Sequence, residues 1–355
     1  MYPEIEIKTN DILENVNKVN KLCLDNNVNL SLVVKLLAGN YDFVKKLENT
    51  NIKYICDSRV QNLKLYKDIN IEKWLIRLPM IDEVNDVVKY SDASLNTEIE
   101  TIIALNEAAK EQDKIHKIIL MYELGDLREG CTKEELDEII DKAKTLSNIN
   151  IYGIGVNLSC YGEIVPTDKN MKEFSELVTY LEEKHNIKFE IVSGGNSSSY
   201  NMLKEGKLPK NINNLRFGES VFLGNVPCFE EEISELNRNN FILKTQIIEL
   251  KEKPSIPWGE TGKSNSFNED VTFVDRGIRK RAIIALGKQD VRIEGLTPKD
   301  ENIIILGGSS DHIILDVTDS NINYKVGDIV EFNLNYSATL CLMSSKDYVN
   351  RKMVY

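Results

Sequence analysis

From Thr9 to about Gly224 one pattern recurs along the chain. A short apolar run, rich in β-branched residues, is followed by a longer stretch whose apolar positions fall three and four apart. The runs predict strands at residues 30–34, 53–56, 74–78, 93–95, 118–123, 151–156, 189–192 and 214–217. Between them lie amphipathic helices. The helix expected over 11–25 carries Ile12, Val16, Val19 and Cys23 on one face, and others are expected over 97–110 and 170–185. In the last of these, Met171, Phe174, Leu177, Val178 and Leu181 form the apolar stripe. Strand–helix alternation implies parallel strands, and about eight such units close into a (β/α)8 barrel. An open doubly wound sheet is the alternative.

After Gly224 the helical period fades. Strand-like runs at 241–250, 281–286, 303–306, 312–317 and 328–334 are separated by turn-rich segments, which reads as a mainly β domain. The expected division is a barrel over 9–226 and a β domain over 227–355, with the break at Val226-Pro227. The opening strand, 4–7, is able to pair in either domain.

Composition narrows the partners. A net charge of -12 argues against nucleic acid, and no apolar stretch is long enough to span a bilayer. Met1-Tyr2-Pro3-Glu4 leads into a strand without a basic segment and apolar core, so no leader is expected. Six scattered cysteines without CxxC or zinc spacing read as reduced thiols in a cytoplasmic protein that holds no metal. His116 and His185 fall in polar surroundings and are expected to be solvated.

The chemistry starts at Lys35, which ends the run Leu30-Ser31-Leu32-Val33-Val34. A lysine delivered by a core strand becomes a nucleophile when desolvation or a cationic neighbour lowers its pKa, as Schiff-base chemistry requires. Barrel enzymes work at the carboxyl ends of their strands and often hold phosphate after strands seven and eight. Here strand seven runs into Ser193-Gly194-Gly195-Asn196-Ser197-Ser198-Ser199, and strand eight into Arg216-Phe217-Gly218-Glu219-Ser220. Glycines allow close backbone approach, while the amides and hydroxyls of Asn196, Ser197, Ser198, Gly218 and Glu219 can bind phosphate oxygens. Two ordinary βα turns are the plainer reading of these loops. Together with the lysine they point to pyridoxal 5'-phosphate. Arg128 and Asn157 follow strands five and six and join the same mouth. Arg128 either neutralises an anionic cofactor or substrate group or simply pairs with Glu129; Asn157 either meets a ring or is an ordinary loop asparagine.

These segments, with Asp275-Arg276-Gly277-Ile278-Arg279-Lys280-Arg281 and Ser309-Ser310-Asp311-His312, resemble the alanine racemase-like, fold-type III pyridoxal phosphate enzymes over essentially the whole chain. Within that family the likeness is greatest to the ornithine-acting branch. The resemblance implies that Lys35 holds the cofactor as a Schiff base and that Ser197 and the Gly218 backbone bind its phosphate. It places Arg216 at the pyridine nitrogen, Arg128 near the phenolate oxygen, and Asn157 where alanine racemases carry a histidine. It also implies a head-to-tail homodimer whose β domain completes the partner's site. A guanidinium facing the ring nitrogen keeps that nitrogen unprotonated, which favours return of a proton to Cα and therefore racemisation.

Two family tyrosines are missing. The segment that aligns with the catalytic one reads Leu286-Gly287-Lys288-Gln289-Asp290, and the phosphate-side one falls on Gly39. Racemisation needs an acid and a base on opposite faces of Cα, so Lys288, Asp311 and His312 are the candidates for the second face. Glu219 is expected either to pair with Arg216 or, like Asp311, to meet a cationic substrate tail. The expected activity is interconversion of L- and D-ornithine. A broad alanine or lysine racemase, a decarboxylase on the same scaffold, and a non-catalytic cofactor carrier are the alternatives; the decarboxylase's usual cysteine motif has no copy around Cys341.

Overall fold

The computed structural model describes residues 1–260, 262–264, 267–268 and 272–355. They form two compact units, Asp11–Arg238 and a second one made of Met1–Asn10 with Asn239–Tyr355. The chain opens with β1 (Glu4–Lys8) and α1 (Thr9–Asp25). Eight strands follow: β2 (Asn29–Val33), β3 (Tyr54–Asp57), β4 (Glu72–Leu75), β5 (Ala93–Asn96), β6 (His116–Tyr122), β7 (Ile149–Val156), β8 (Ile191–Ser193) and β9 (Asn214–Phe217). Each pairs in parallel with the next, and β9 returns to β2 from Asn29↔Asn214 to Leu32↔Phe217. The barrel is closed, and the open sheet is excluded.

The intervening helices are α2 (Tyr41–Lys46), α3 (Val60–Leu65), α4 (Val84–Tyr90), α5 (Ile99–Glu111), α6 (Lys133–Ala143), α7 (Asp168–His185), α8 (Tyr200–Lys204) and α9 (Glu219–Leu223). Both long helices around β7 start on capping boxes. Thr132 accepts from Glu135 N and Thr167 from Asn170 N, while the third helical side chain returns the bond. The expected stripe of α7 is buried from Met171 to Leu181. Inside the barrel Trp74 packs on Tyr54 (ring centroids 4.5 Å apart) and meets Tyr152 edge-on (6.4 Å). Aromatic bulk of this kind fills a barrel as core rather than leaving a pore.

One strand lies earlier than its apolar run. Instead of 74–78 it occupies Glu72–Leu75, and the remainder leaves as a loop. Arg77 fixes that loop by donating to Ser58 O and Leu78 O and by pairing with Glu83. Both flagged histidines are buried, contrary to expectation. His116 begins β6 with Nε2 2.8 Å from Ser94 Oγ, and His185 lies between Asp137 (2.7 Å) and Asp141 (2.9 Å). Partners distant in sequence make each burial tolerable.

The first unit runs past Val226-Pro227, through the ribbon β10 (Asn225–Val226) and β11 (Glu231–Glu232), because Asn237 is tied back to α1. Asn15 donates to Asn237 O and accepts from Asn237 N, both at 2.8 Å. The second unit holds β12 (Phe241–Pro254), β13 (Ile278–Ile284), β14 (Leu296–Pro298), β15 (Ile304–Gly308), β16 (Ile313–Asp316), β17 (Ile329–Leu334), α10 (Tyr336–Ser344) and β18 (Asn350–Val354). Its sheet order is β14-β17-β12-β13-β16-β15, with β1 antiparallel to β12 and parallel to β18. The helix α10 was not expected from the pattern. It is short and apolar on nearly all sides, so no stripe marks it, and its start is set by Asn335 accepting from Ala338 N at 3.0 Å. No described helix is long and apolar enough to cross a membrane, and all six cysteines are unbridged.

Candidate active site

Lys35 stands at the carboxyl end of β2. Val34 still reaches the neighbouring strand through Cys56 O (2.8 Å), after which Lys35–Leu37 make one tight turn. The turn closes through Ala38 (φ 45°) and Gly39 (φ 82°). A Cβ on Gly39 would meet Leu65 Cδ1 at 2.9 Å. At that positive φ any L side chain, the family's second tyrosine included, would be strained. The Lys35 charge acts on two groups from other loops, the carboxyl of Glu219 and the thiol of Cys160.

The loops after β8 and β9 are sewn into one cradle. Asn196 Oδ1 accepts from both the amide (3.0 Å) and the hydroxyl (2.8 Å) of Ser198. Ser197 Oγ accepts from the amides of Gly218 (3.3 Å) and Ser220 (3.2 Å), so one hydroxyl bridges the two loops. All three serines from Ser197 to Ser199 are buried. Gly195 needs its positive φ of 110°, and a Cβ on Gly218 would lie 3.1 Å from Val33 Cβ and from Val33 O. Hence the loop after β9 rests directly on the strand that carries Lys35.

Arg216, in β9, is buried and holds neutral acceptors only. NH1 donates to Ser193 Oγ (2.6 Å), and NH2 to Val156 O (2.8 Å) and Asn157 Oδ1 (2.7 Å). The expected pairing with Glu219 is therefore absent among the described residues. Glu219 instead accepts from Asn225 Nδ2 at 3.1 Å, and burial pushes its pKa up. Arg128 does pair with Glu129, as the plainer reading had it, yet the pair is no surface accident. Asn157 Nδ2 donates to the same carboxylate, giving a continuous line Arg128–Glu129–Asn157–Arg216.

Sequence reasoning named Glu129 only as a partner for Arg128 and missed its bond to Asn157; it assigned Asp126 no role. The Asp126 carboxylate accepts from the amides of Cys160, Tyr161 and Gly162 (3.1–3.2 Å), which locks the loop after β7 to the loop after β6. Cys160 Sγ in turn accepts from Asn196 Nδ2 at 3.1 Å. No local pattern signals such ties, which join residues 28 to 36 positions apart.

The three second-face candidates belong to the other unit and meet at one corner of it. Lys288 N and Gln289 N donate to Ser309 O (2.9 Å) and Ser310 O (3.0 Å), so the turn after β13 touches the β15–β16 hairpin. A Cβ on Gly287 would lie 2.2 Å from Ser310 O, which is why glycine stands there. Asp311 pairs with His312 Nδ1 at 2.9 Å, and that bond holds the Asp311 pKa below the usual range. Tyr348, unremarked in the sequence, joins the corner by donating to Ala285 O at 3.0 Å and feeling the charges of Asp290 and Asp311.

A parallel barrel with an amine ending its first strand, an amide-and-hydroxyl cradle beside it, and two arginines on the same mouth has the layout of a barrel-type pyridoxal phosphate enzyme. Comparison with known proteins agrees. Residues 7–226 match the family profile described as alanine racemase, N-terminal domain. The chain is 46% identical to an ornithine racemase of Acetoanaerobium sticklandii along the whole of both chains. It is 39% identical to a lysine racemase of Thermotoga maritima over 97% of each. In fold it is similar to alanine racemase from Bartonella henselae with covalently bound pyridoxal phosphate, with a TM-score of 0.74, 17% identity, and 99% of each chain covered. The chain belongs to the alanine racemase family, pyridoxal phosphate-dependent amino-acid racemases of fold type III.

The residues present fit that cofactor. The glycines let the loop backbones pack closely with their amides grouped, the bridging Ser197 hydroxyl and its amides suit phosphate oxygens, and Arg216 offers guanidinium hydrogens to an electron-pair acceptor such as an unprotonated ring nitrogen.

Proposed function

We propose that this racemase interconverts L- and D-ornithine. The observation that carries the substrate is the identity of 46%, sustained from end to end, to a relative named for ornithine. Lysine, one methylene longer, is the second reading, on the strength of the relative named for it. Both substrates end in an ammonium, and Glu219, half-buried beside Lys35, offers that ammonium a counter-charge at the barrel mouth.

The division of labour follows from the residues. Bound at Lys35, pyridoxal phosphate supplies an electron sink that acidifies the substrate Cα–H. Ser197 and the Gly218 amide hold the phosphate, with Asn196 and Ser198 fixing the turn that presents them. Arg216 stays protonated at neutral pH, so it donates to the ring nitrogen and gives it no proton. Arg128 would neutralise the cofactor's phenolate oxygen, and Asn157 would lie beside its ring. The Lys35 amine would take or give the Cα proton on one face. The opposite face is served from the Lys288, Asp311 and His312 corner of a second copy, in a head-to-tail homodimer.

The test is incubation with a panel of L-amino acids in deuterated water, followed by chiral analysis. D-ornithine bearing one deuterium at Cα is the expected product, with lysine turned over more slowly and Lys35→Ala inactive. Carbon dioxide release would instead make the protein a decarboxylase, and absence of Cα exchange with every amino acid would make it a carrier.

A further inference from the structure

Arg216 is the most enclosed cation of the barrel mouth, and burial is the largest influence on its pKa, holding it below the ordinary arginine value. Among the described residues, the acceptors of its hydrogen bonds are all uncharged. The carboxylate that acts on it does so across one residue. Glu129 accepts from Asn157 Nδ2, while Asn157 Oδ1 accepts from Arg216. The same Glu129 takes Nε and NH2 of Arg128. Of the Arg128–Glu129 pair, the carboxylate is the more enclosed, with 13% of its side chain exposed against 38% for the arginine. A solvated partner of a surface arginine would show the reverse.

We propose that Glu129 is a positioning residue for racemisation, fixing the amide of Asn157 toward Arg216 and serving as the one carboxylate shared by both arginines. The proposal rests on the cofactor reading above. An asparagine amide has two nearly isosteric orientations. Here the flipped one would set Oδ1 against the Glu129 carboxylate and NH2 against the Arg216 guanidinium, so both contacts turn repulsive. With the amide fixed, the Arg216 plane is held on three acceptors and its aim is set before any ligand arrives. The carboxylate also balances charge. Arg128, Arg216 and Lys35 share the mouth, and removing Glu129 leaves them with one anion fewer, which disfavours any further positive charge at the Lys35–cofactor bond.

The experiment uses cofactor-loaded full-length protein and Glu129→Gln, which keeps shape and removes charge. The readout is the pH midpoint of the visible absorbance change of the bound chromophore, alongside kcat for L-ornithine. The midpoint is expected to move to lower pH by about half a unit or more, with kcat down roughly tenfold or more while the cofactor stays bound. Glu129→Asp, which keeps the charge, is expected to return the midpoint to near the wild-type pH and to recover part of kcat. If the glutamine variant does not fold, the aspartate variant carries the test, with kcat reduced but the midpoint near the wild-type pH. An unchanged midpoint and kcat in Glu129→Gln, or a loss confined to cofactor retention, overturns the proposal. Wild-type protein that stays colourless with the cofactor supplied sinks the earlier reading instead, so the two failures are distinguishable.

Discussion

His116 has lost its charge. It is buried at the start of β6 beside Ser94, and burial, aided by the Lys114 charge, drives its pKa down to about 3 from 6.5. Above pH 6.5 folded and unfolded chains hold this imidazole alike. As the pH falls the unfolded chain gains a proton that the folded one refuses, so stability drops between 6.5 and about 3. The expected loss is about 2 kcal/mol by pH 5. Urea unfolding of wild type and His116→Gln at several pH values measures it, and the variant should lack this component of the acid sensitivity. The same residue shows where reading a sequence stops. A histidine amid polar neighbours looks solvated, and only Ser94, from the adjacent strand, makes its burial acceptable. Lys35, Ser197, Arg216 and Gly218 were legible because each sits at a fixed place relative to a strand end. Glu129 and Asp126 were not, since their work lies in partners on other loops.

At the scale of elements, the junction of β9 with β2 governs the site. Gly218 leaves β9 against Val33, with a Cβ position 3.1 Å from both Val33 Cβ and Val33 O. Adding that methyl pushes on the strand that ends at Lys35. Gly218→Ala is expected to cost about 1–3 kcal/mol of stability and to weaken cofactor binding, measured by urea unfolding and by spectrophotometric titration. Unchanged values for both would show that the neighbours yield freely. Strand existence was readable for all eight barrel strands, whereas their ends shifted by up to three residues, β9 alone matching at both. Parallel strands buried on both faces read as continuous apolar runs, and such runs do not mark where pairing stops. Helix α10 escaped for the related reason that an apolar, enclosed helix has no stripe to detect.

For the whole molecule, the most consequential pairing joins the chain's two ends. Ile5 and Ile7 of β1 are fully buried, and β1 lies between β12 and β18. Removing residues 1–8 would therefore expose the edges of both strands and strip two core side chains from the second unit. The expected outcome is loss of hydrogen-exchange protection in residues 241–244 and 350–354, with the barrel amides protected as before; mass spectrometry of the exchanged peptides reads it. No local pattern could have assigned this strand, because its partners lie more than two hundred residues away.

That seam also imposes an order of events during synthesis. Once made, β1 cannot gain its second neighbour until Asn350–Val354 has been made. At roughly 5–20 residues per second that is a wait of about twenty to seventy seconds. The barrel can finish meanwhile, and Ile5 and Ile7 stay uncovered until the second unit closes over them.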